Sequence, residues 1–351
     1  MSINVSLLKT CCETPGISGY EQPIRAFIQS TLKDVADELY TDHMGNLIAL
    51  LKGKSNSKRI MAAAHMDEIG FMVKQIDDKG FIKIQTIGGF DPKTLTAQRV
   101  IVHGKKDLVG VMGSKPIHIM SPEERTKPAQ IHDYFVDLGL PKEEVEKFVE
   151  IGTPITRWSE LIEMGNCVNC KSIDNRVAVY ILIETLKELK GKQLPYDFYG
   201  VFTVQEEVGL RGAHTAAHHI NPEFSFNIDT TIAFDTPGAK PEDMVTKLGD
   251  GVGIKIMDGG AICDYRMVKY MKEQAASNNI KWQAEILPAG GTDTGGMQRM
   301  ATNGTIAGAV SIPTRHIHSH IEMADKSDIR ANIDLLKVCL LNLEGYDWSF
   351  K

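Results

Sequence analysis

No stretch of this chain approaches the roughly 18 consecutive apolar residues that a membrane-spanning helix needs; the nearest is the amphipathic run from Val177 to Leu186. Basic tracts are missing too. Lysine and arginine number 39 against 45 acids, a net charge of −6, without the clustered positive face that binds nucleic acid. Neither a membrane nor nucleic acid is expected as a partner. Met1 to Val5 lack the charged, apolar and cleavage regions of a secretory signal, so a cytoplasmic location is expected. Cysteine is sparse, six in 351 residues with Cys11 and Cys12 adjacent, which is no secreted disulfide framework; reduced thiols are expected. Cys167 and Cys170 form a single CxxC, and the absence of a second leaves a zinc ribbon incomplete. His214 and His218 have i, i+4 spacing but no acid between them to make HExxH, so they read as a polar helix face. Internal repeats and low-complexity tracts are absent.

The length exceeds one ordinary core, so two domains, or one with a large insert, are expected. Apolar, β-branched runs at Asn46–Leu51, Arg59–Ala64, Tyr199–Val204, Phe224–Ile228 and Thr305–Ile312 alternate with helical patterns at 3–12, 21–33, 177–190, 263–276 and 327–343. Trp282 to Leu287 reads as an edge strand, and Ser18 as an N-cap for the second helix. Between 70 and 165 the texture changes. A hairpin over 71–87 turns at Asp77–Gly80, further short β segments follow, Ser121–Ala129 is loop-like, and a helix opens at Pro141. The expectation is a mixed-sheet α/β/α core made of residues 1–69 and 166–351, interrupted by a mostly β insert at 70–165.

The chain is organised around Val201–Gly209. A buried strand ends there in Glu206 and Glu207, followed at once by Gly209. In an open α/β sheet, groups at carboxyl strand ends point into the ligand crevice. Adjacent strand residues face opposite ways, so these two acids share a site only if the ladder has already ended. Three other strands end alike, in His65 with Asp67, in Asp229 and in His318, while Asp174 opens a helix, where it can also serve as a plain N-cap. Mixed carboxylate and imidazole ligands suit zinc, cobalt or manganese. Two His, two Asp and one Glu match the needs of a two-metal site, leaving Glu206 as a general base for a water whose pKa such ions lower.

In order, the segments AHMDEIG, SIDNRVA, QEEVGLRGA, NIDTT, GGTDTGG and IPTRHIHS resemble the M42 family of metallo-aminopeptidases, the tetrahedral and glutamyl aminopeptidase-like enzymes, over nearly the whole chain. The resemblance implies that His65, Asp174 and Asp229 hold one divalent ion and Asp174, Glu207 and His318 the other, with Asp174 bridging. It implies Glu206 as general base and Asp67 as the carboxylate that orients His65. It further implies peptide substrates, a PDZ-like dimerisation role for the insert, and dimers that assemble into a dodecamer. Thr294 and His316 depart from the family's usual Ala and Tyr, at positions expected to flank the substrate pocket. His316 and His320 would share a face with His318 if that segment were extended; His318 alone is taken as the ligand.

Release of N-terminal residues from oligopeptides is the leading reading. A different two-metal amide hydrolase, such as a carboxypeptidase or N-deacylase, is the rival, since no acidic subsite for a free amine is evident beyond Asp293. A glycosidase needs only two carboxylates at set spacing, which leaves the His/Asp set unexplained. A non-catalytic scaffold gives no reason for a complete ligand set with a spare Glu.

Overall fold

The computed structural model describes residues 2–350. The chain opens with α1 (Val5–Glu13) and α2 (Gln22–Leu32), then β1 (Glu38–Thr41), β2 (Leu47–Leu51) and β3 (Ser55–His65). The insert follows as β4 (Gly70–Ile76), β5 (Ile82–Ile87), β6 (Arg99–His103), β7 (Asp107–Gly113), α3 (Pro122–Thr126), β8 (Phe135–Asp137), α4 (Lys142–Phe148) and β9 (Pro154–Arg157). Next come β10 (Ile162–Met164), β11 (Cys167–Cys170), α5 (Ile173–Leu189), β12 (Tyr196–Thr203), α6 (Arg211–Ile220), β13 (Phe224–Ile232) and β14 (Val252–Met257). The chain finishes with α7 (Tyr265–Ser277), β15 (Trp282–Ile286), α8 (Asp293–Met300), β16 (Ile306–Arg315), β17 (Glu322–Asp325) and α9 (Lys326–Leu341).

Among the described residues the larger sheet has eleven strands, in the order β1-β2-β12-β3-β13-β16-β17-β11-β10, with β14 joined to β16 and carrying β15 at its edge. Its centre is parallel: β12, β3, β13 and β16 run the same way, and the register sets Thr203 beside His65 and Asn227 beside Ala63. Their carboxyl ends therefore open on one side. The second sheet is a closed barrel, β4-β5-β8-β7-β6-β9, filled by Phe71, Val73, Ile82, Val100, Val136 and Ile155. It closes at Arg157. The segment after it, counted with the insert on sequence grounds, contributes β10 to the larger sheet instead.

α5 is the hub of the core. Its Val177–Ile183 run is apolar on every side, as a helix covered all round must be, and it packs between the sheet and α1, α2 and α9. Local signals failed in three places. Ser18 does not cap α2, whose N-cap is Glu21 without a side-chain bond; the Ser18 hydroxyl turns inward. Ser121–Ala129 contains the short α3, closed by a capping box between Ser121 and Glu124. β13 runs three residues past Asp229 because pairing with β16 continues to Ile232, although its pairing with β3 stops at Asn227.

A buried charge cluster locks the start of α5 in place. Lys171 Nζ donates to both oxygens of Glu68 at 2.8 Å, and Arg176 lies 3.6 Å from the same carboxylate while donating to the carbonyls of Cys11 and Thr14. Burial alone would raise the Glu68 pKa, but the charges of Lys171, Arg176 and Arg157 overcome it and hold the carboxyl down at about 2. Glu68→Gln leaves two cations buried without their anion and is expected to cost about 3–5 kcal/mol at pH 7. Because the folded pKa lies below the unfolded value of about 4.3, the Glu68 contribution is full above that value and fades as pH falls towards 2. Denaturant unfolding of both proteins from pH 7 to pH 3 checks this; a wild-type advantage that does not shrink on acidification contradicts it.

Candidate metal centre and active site

Most of the functional side chains sit where a regular element ends or is interrupted; Asp229 lies on β13, at the level where its pairing with β3 has stopped but that with β16 continues. β12 ends at Thr203, and Gln205 then takes a left-handed conformation (φ 55°) that turns the chain before Glu206 and Glu207. This break lets neighbouring acids face one crevice. Asp174 lies within the first turn of α5 but has non-helical dihedrals (φ −75°, ψ 108°), so its carboxylate reaches the crevice rather than capping the helix. Beyond β16, His316 and His318 are both left-handed (φ 61° and 63°), so the segment is not extended and the three histidines do not share a face. His318 alone of the three belongs to a ligand cluster among the described residues; His316 is exposed, and His320 is buried away from the site.

The distances have the scale of a metal cage. His65 Nε2 lies 3.3 Å from Asp174 Oδ1 and 3.7 Å from Asp229 Oδ1, while His318 Nε2 lies 3.4 Å from Asp174 Oδ2 and 3.4 Å from Glu207 Oε2. Two ligands bound to one tetrahedral ion at about 2.0–2.1 Å stand about 3.3–3.4 Å apart. Glu207 Oε1 is buried with no hydrogen-bond partner, an orphan that a cation would satisfy. The donor set, its spacing and this unpartnered oxygen all fit divalent metal.

Asp67 holds one side of the site. It is fully buried, accepts the backbone N–H of Glu206 at 3.1 Å and of Glu207 at 3.2 Å, and accepts the Ser18 hydroxyl at 2.6 Å. Its Oδ1 is 3.4 Å from His65 Nδ1, and its carbonyl oxygen 3.1 Å. A proton kept on Nδ1 by these acceptors leaves Nε2 free for a ligand. Ser18 was missed as a site residue because its signal, a serine in a Pro/Gly-rich loop, is that of an ordinary helix cap.

Charge crowding sets the electrostatics. Burial would lower the His65 pKa, yet Glu206 and the bonds to Asp174, Asp229 and Asp67 raise it well above its usual value; at His318 the same contest, with Asp174 and Glu207, ends at about 11. Burial lifts Glu206 well above the carboxylate range, and Asp229, Glu207 and Asp293 add to the rise against the pull of His65. Asp174 goes the other way, its burial outweighed by the two imidazoles. Asp293, pushed to about 7 mainly by burial, accepts from Thr203 behind the site and lines no part of the cavity, which argues against a direct role in binding an amine.

A cavity of about 680 Å³ opens over the cluster, walled by Phe90, Leu210, Ile232, Leu287 and Ile317 as well as the ligand set. Phe90 comes from the insert. The preceding Gly88 (φ 83°) is needed there, since a Cβ would stand 2.4 Å from Ile69 Cγ2. Thr294 and His316 do not line this cavity; their neighbours Thr292 and Ile317 do, and the Thr294 hydroxyl is turned to Thr292. Cys167 and Cys170 lie on β11 and His214 on α6, in no ligand cluster among the described residues.

Comparison with known proteins agrees with this geometry. The model for the M42 glutamyl aminopeptidase family matches residues 45–335. A putative aminopeptidase of Acetivibrio thermocellus is 41% identical over 331 residues, covering 94% of this chain and 96% of its own. The structure of a TET aminopeptidase from a marine-sediment archaeon of the Thaumarchaeota superposes with a TM-score of 0.94 at 35% identity, covering 97% of this chain and 96% of that one. The TET1 peptidase of Pyrococcus horikoshii, described as able to assemble into a tetrahedron or a large octahedral shell, gives 0.87 at 32% identity, with 96% and 99% covered. With its crevice of carboxylates and two imidazoles at the ends of the parallel strands and a family match over most of its length, the chain belongs to the M42 peptidases and is a metal-dependent aminopeptidase.

Proposed function

We propose that the enzyme releases single N-terminal residues from oligopeptides at a centre for two divalent ions, zinc or cobalt, with manganese a third option. The observation that carries the reading is Asp174, whose two oxygens each face a different imidazole. His65, Asp174 and Asp229 would hold one ion; Asp174, Glu207 and His318 would hold the other. When bound, such ions polarise a carbonyl and make water a nucleophile near neutral pH. Glu206, buried in the cavity lining and outside both ligand sets in this reading, would take the proton from the attacking water and return it to the departing amide nitrogen. Asp67 keeps His65 in the right tautomer and, through two backbone N–H groups, keeps Glu206 and Glu207 side by side. The apolar walls exclude water and receive the first side chain of the peptide.

The barrel would serve as a dimerisation domain and the dimers would build a dodecameric shell, a reading supported by the large assemblies described for the Pyrococcus horikoshii relative. Six unpaired cysteines, five of them buried, suit the reducing cytoplasm. No helix among the described residues is long and apolar enough to cross a membrane.

Metal-stripped enzyme is expected to cleave aminoacyl-p-nitroanilides only after Zn²⁺ or Co²⁺ is restored and to spare their N-acetylated counterparts. Cleavage of blocked substrates, or indifference to metal, would overturn the proposal. Glu206→Gln should lower kcat by about 10²–10⁴-fold while metal content, measured by atomic emission, stays at the wild-type level; equal loss of metal would make Glu206 a ligand instead. Binding of metal must expel the protons that His65 and His318 hold well above their usual pKa, so affinity is expected to rise with pH. Calorimetric titration in buffers of different ionisation enthalpy reads the released protons directly, and an affinity flat between pH 6 and 8 argues against that linkage.

A further inference from the structure

Glu322 plays no part in the chemistry above, yet it is fully buried and both its oxygens are committed to the site's other side. Oε2 accepts the backbone N–H of Asp174 at 2.8 Å. Oε1 accepts the backbone N–H of His318 at 3.0 Å and an Arg157 N–H at 3.2 Å. Arg157, also fully buried, is the last residue of β9, and the same nitrogen donates to the carbonyl of Ser319 at 2.5 Å. From β11, Asn169 donates to the carbonyls of Ile321 and Glu322 and so fixes the strand that carries the carboxylate. One side chain therefore ties together the first turn of α5, the turn after β16 and the end of the barrel.

The two residues so held are the ones least supported by their own backbone. Asp174 is non-helical inside a helix, and His318 is left-handed, a conformation uncommon outside glycine that persists only when its surroundings impose it. N–H bonds to a carboxylate are stronger and shorter than those to a neutral acceptor. A rigid strand position for Glu322 thus translates into a fixed separation between the Asp174 and His318 side chains, 3.4 Å apart in the structure. Burial and the nearby Asp174 push Glu322 up to about 7 against the pull of Arg157, so the guanidinium offsets only part of the negative charge this acid adds. Asp67 does the equivalent for His65, Glu206 and Glu207.

We propose that Glu322, anchored by Arg157, is a positioning residue that sets the Asp174–His318 spacing for the second divalent ion, and that through it the barrel's last strand bears on that ion's site. The inference rests on the two-ion reading above. Such outer groups are worth about 10–100-fold in metal affinity; because Asp174 serves both ions and His318 only one, the effect here should fall more heavily on the ion held by His318.

The test is titration of the metal-stripped full chain with Co²⁺, followed by calorimetry and by the visible absorption of bound Co²⁺, for wild type, Glu322→Gln, Glu322→Asp and Asp328→Asn. Gln replaces one acceptor by a donor; Asp keeps the charge but withdraws both oxygens, and it reads the effect even if the Gln variant fails to fold. Expected in both Glu322 variants are one equivalent weakened about 10–100-fold with an altered absorption band and the other weakened distinctly less. Asp328, a buried carboxylate on α9 that accepts N–H bonds from Gly249 and Gly251, is the control; its variant should bind both equivalents as wild type does, whatever its melting temperature. Wild-type affinities in the Glu322 variants, or equal weakening of both equivalents, overturn the inference alone. A wild-type chain that takes up fewer than two equivalents overturns the two-ion reading and this inference with it.

Discussion

Like charges packed into one buried crevice are the constraint on which this molecule depends. Asp174, Glu206, Glu207 and Asp229 are brought within reach of one another with only two imidazoles between them, a crowding that raises the pKa of His65 and His318 and, with burial, that of Glu206. Such an arrangement costs folding free energy. It persists because the parallel strands, the α5 hub and the barrel over-determine the positions of these groups, and a divalent cation relieves the repulsion. The repulsion that opposes folding here is the same one that draws in a divalent ion.

The fold serves this constraint by separating labour. The parallel centre of the sheet aligns the carboxyl ends of β3, β12, β13 and β16, and the segments after β12 and β16 leave their strands through left-handed residues. Left-handed Gln205 turns two acids to one side, while a non-helical Asp174 aims its carboxylate between the two histidines. The barrel adds Phe90 to the wall of the cavity and Arg157 to its support.

Three buried carboxylates that bind no metal in this scheme hold the rest. Asp67 orders the loop after β12, Glu68 pins the start of α5 through Lys171 and Arg176, and Glu322 spans Asp174 and His318. All act by accepting hydrogen bonds from groups fixed elsewhere. Two of them, Glu68 and Glu322, are paired with a buried cation, which fully offsets burial at Glu68 and only partly at Glu322.

Composition and periodicity pointed to the alternating α/β core, the change to short strands between residues 70 and 165, and His65, Asp67, Asp174, Glu206, Glu207, Asp229 and His318 as candidates; their division into ligands, base and orienting carboxylate came from the resemblance to the M42 family. Apolar runs that stop abruptly at ligand-type residues are a one-dimensional signal of a parallel sheet with a site at its open ends. Long-range contacts decided what lies outside that signal. Nothing local separates Ser18 from a helix cap, since its partner Asp67 is 49 residues away, and nothing local marks Glu322, whose meaning comes from Asp174 and Arg157, about 150 residues before it. Asp229 illustrates the same limit: a strand ends where its neighbours stop pairing, and the continued ladder with β16 carried β13 on to Ile232. The sequence already favours His318 over His316 and His320, but the physical reason that the three share no face lies in backbone dihedrals that residue spacing does not encode.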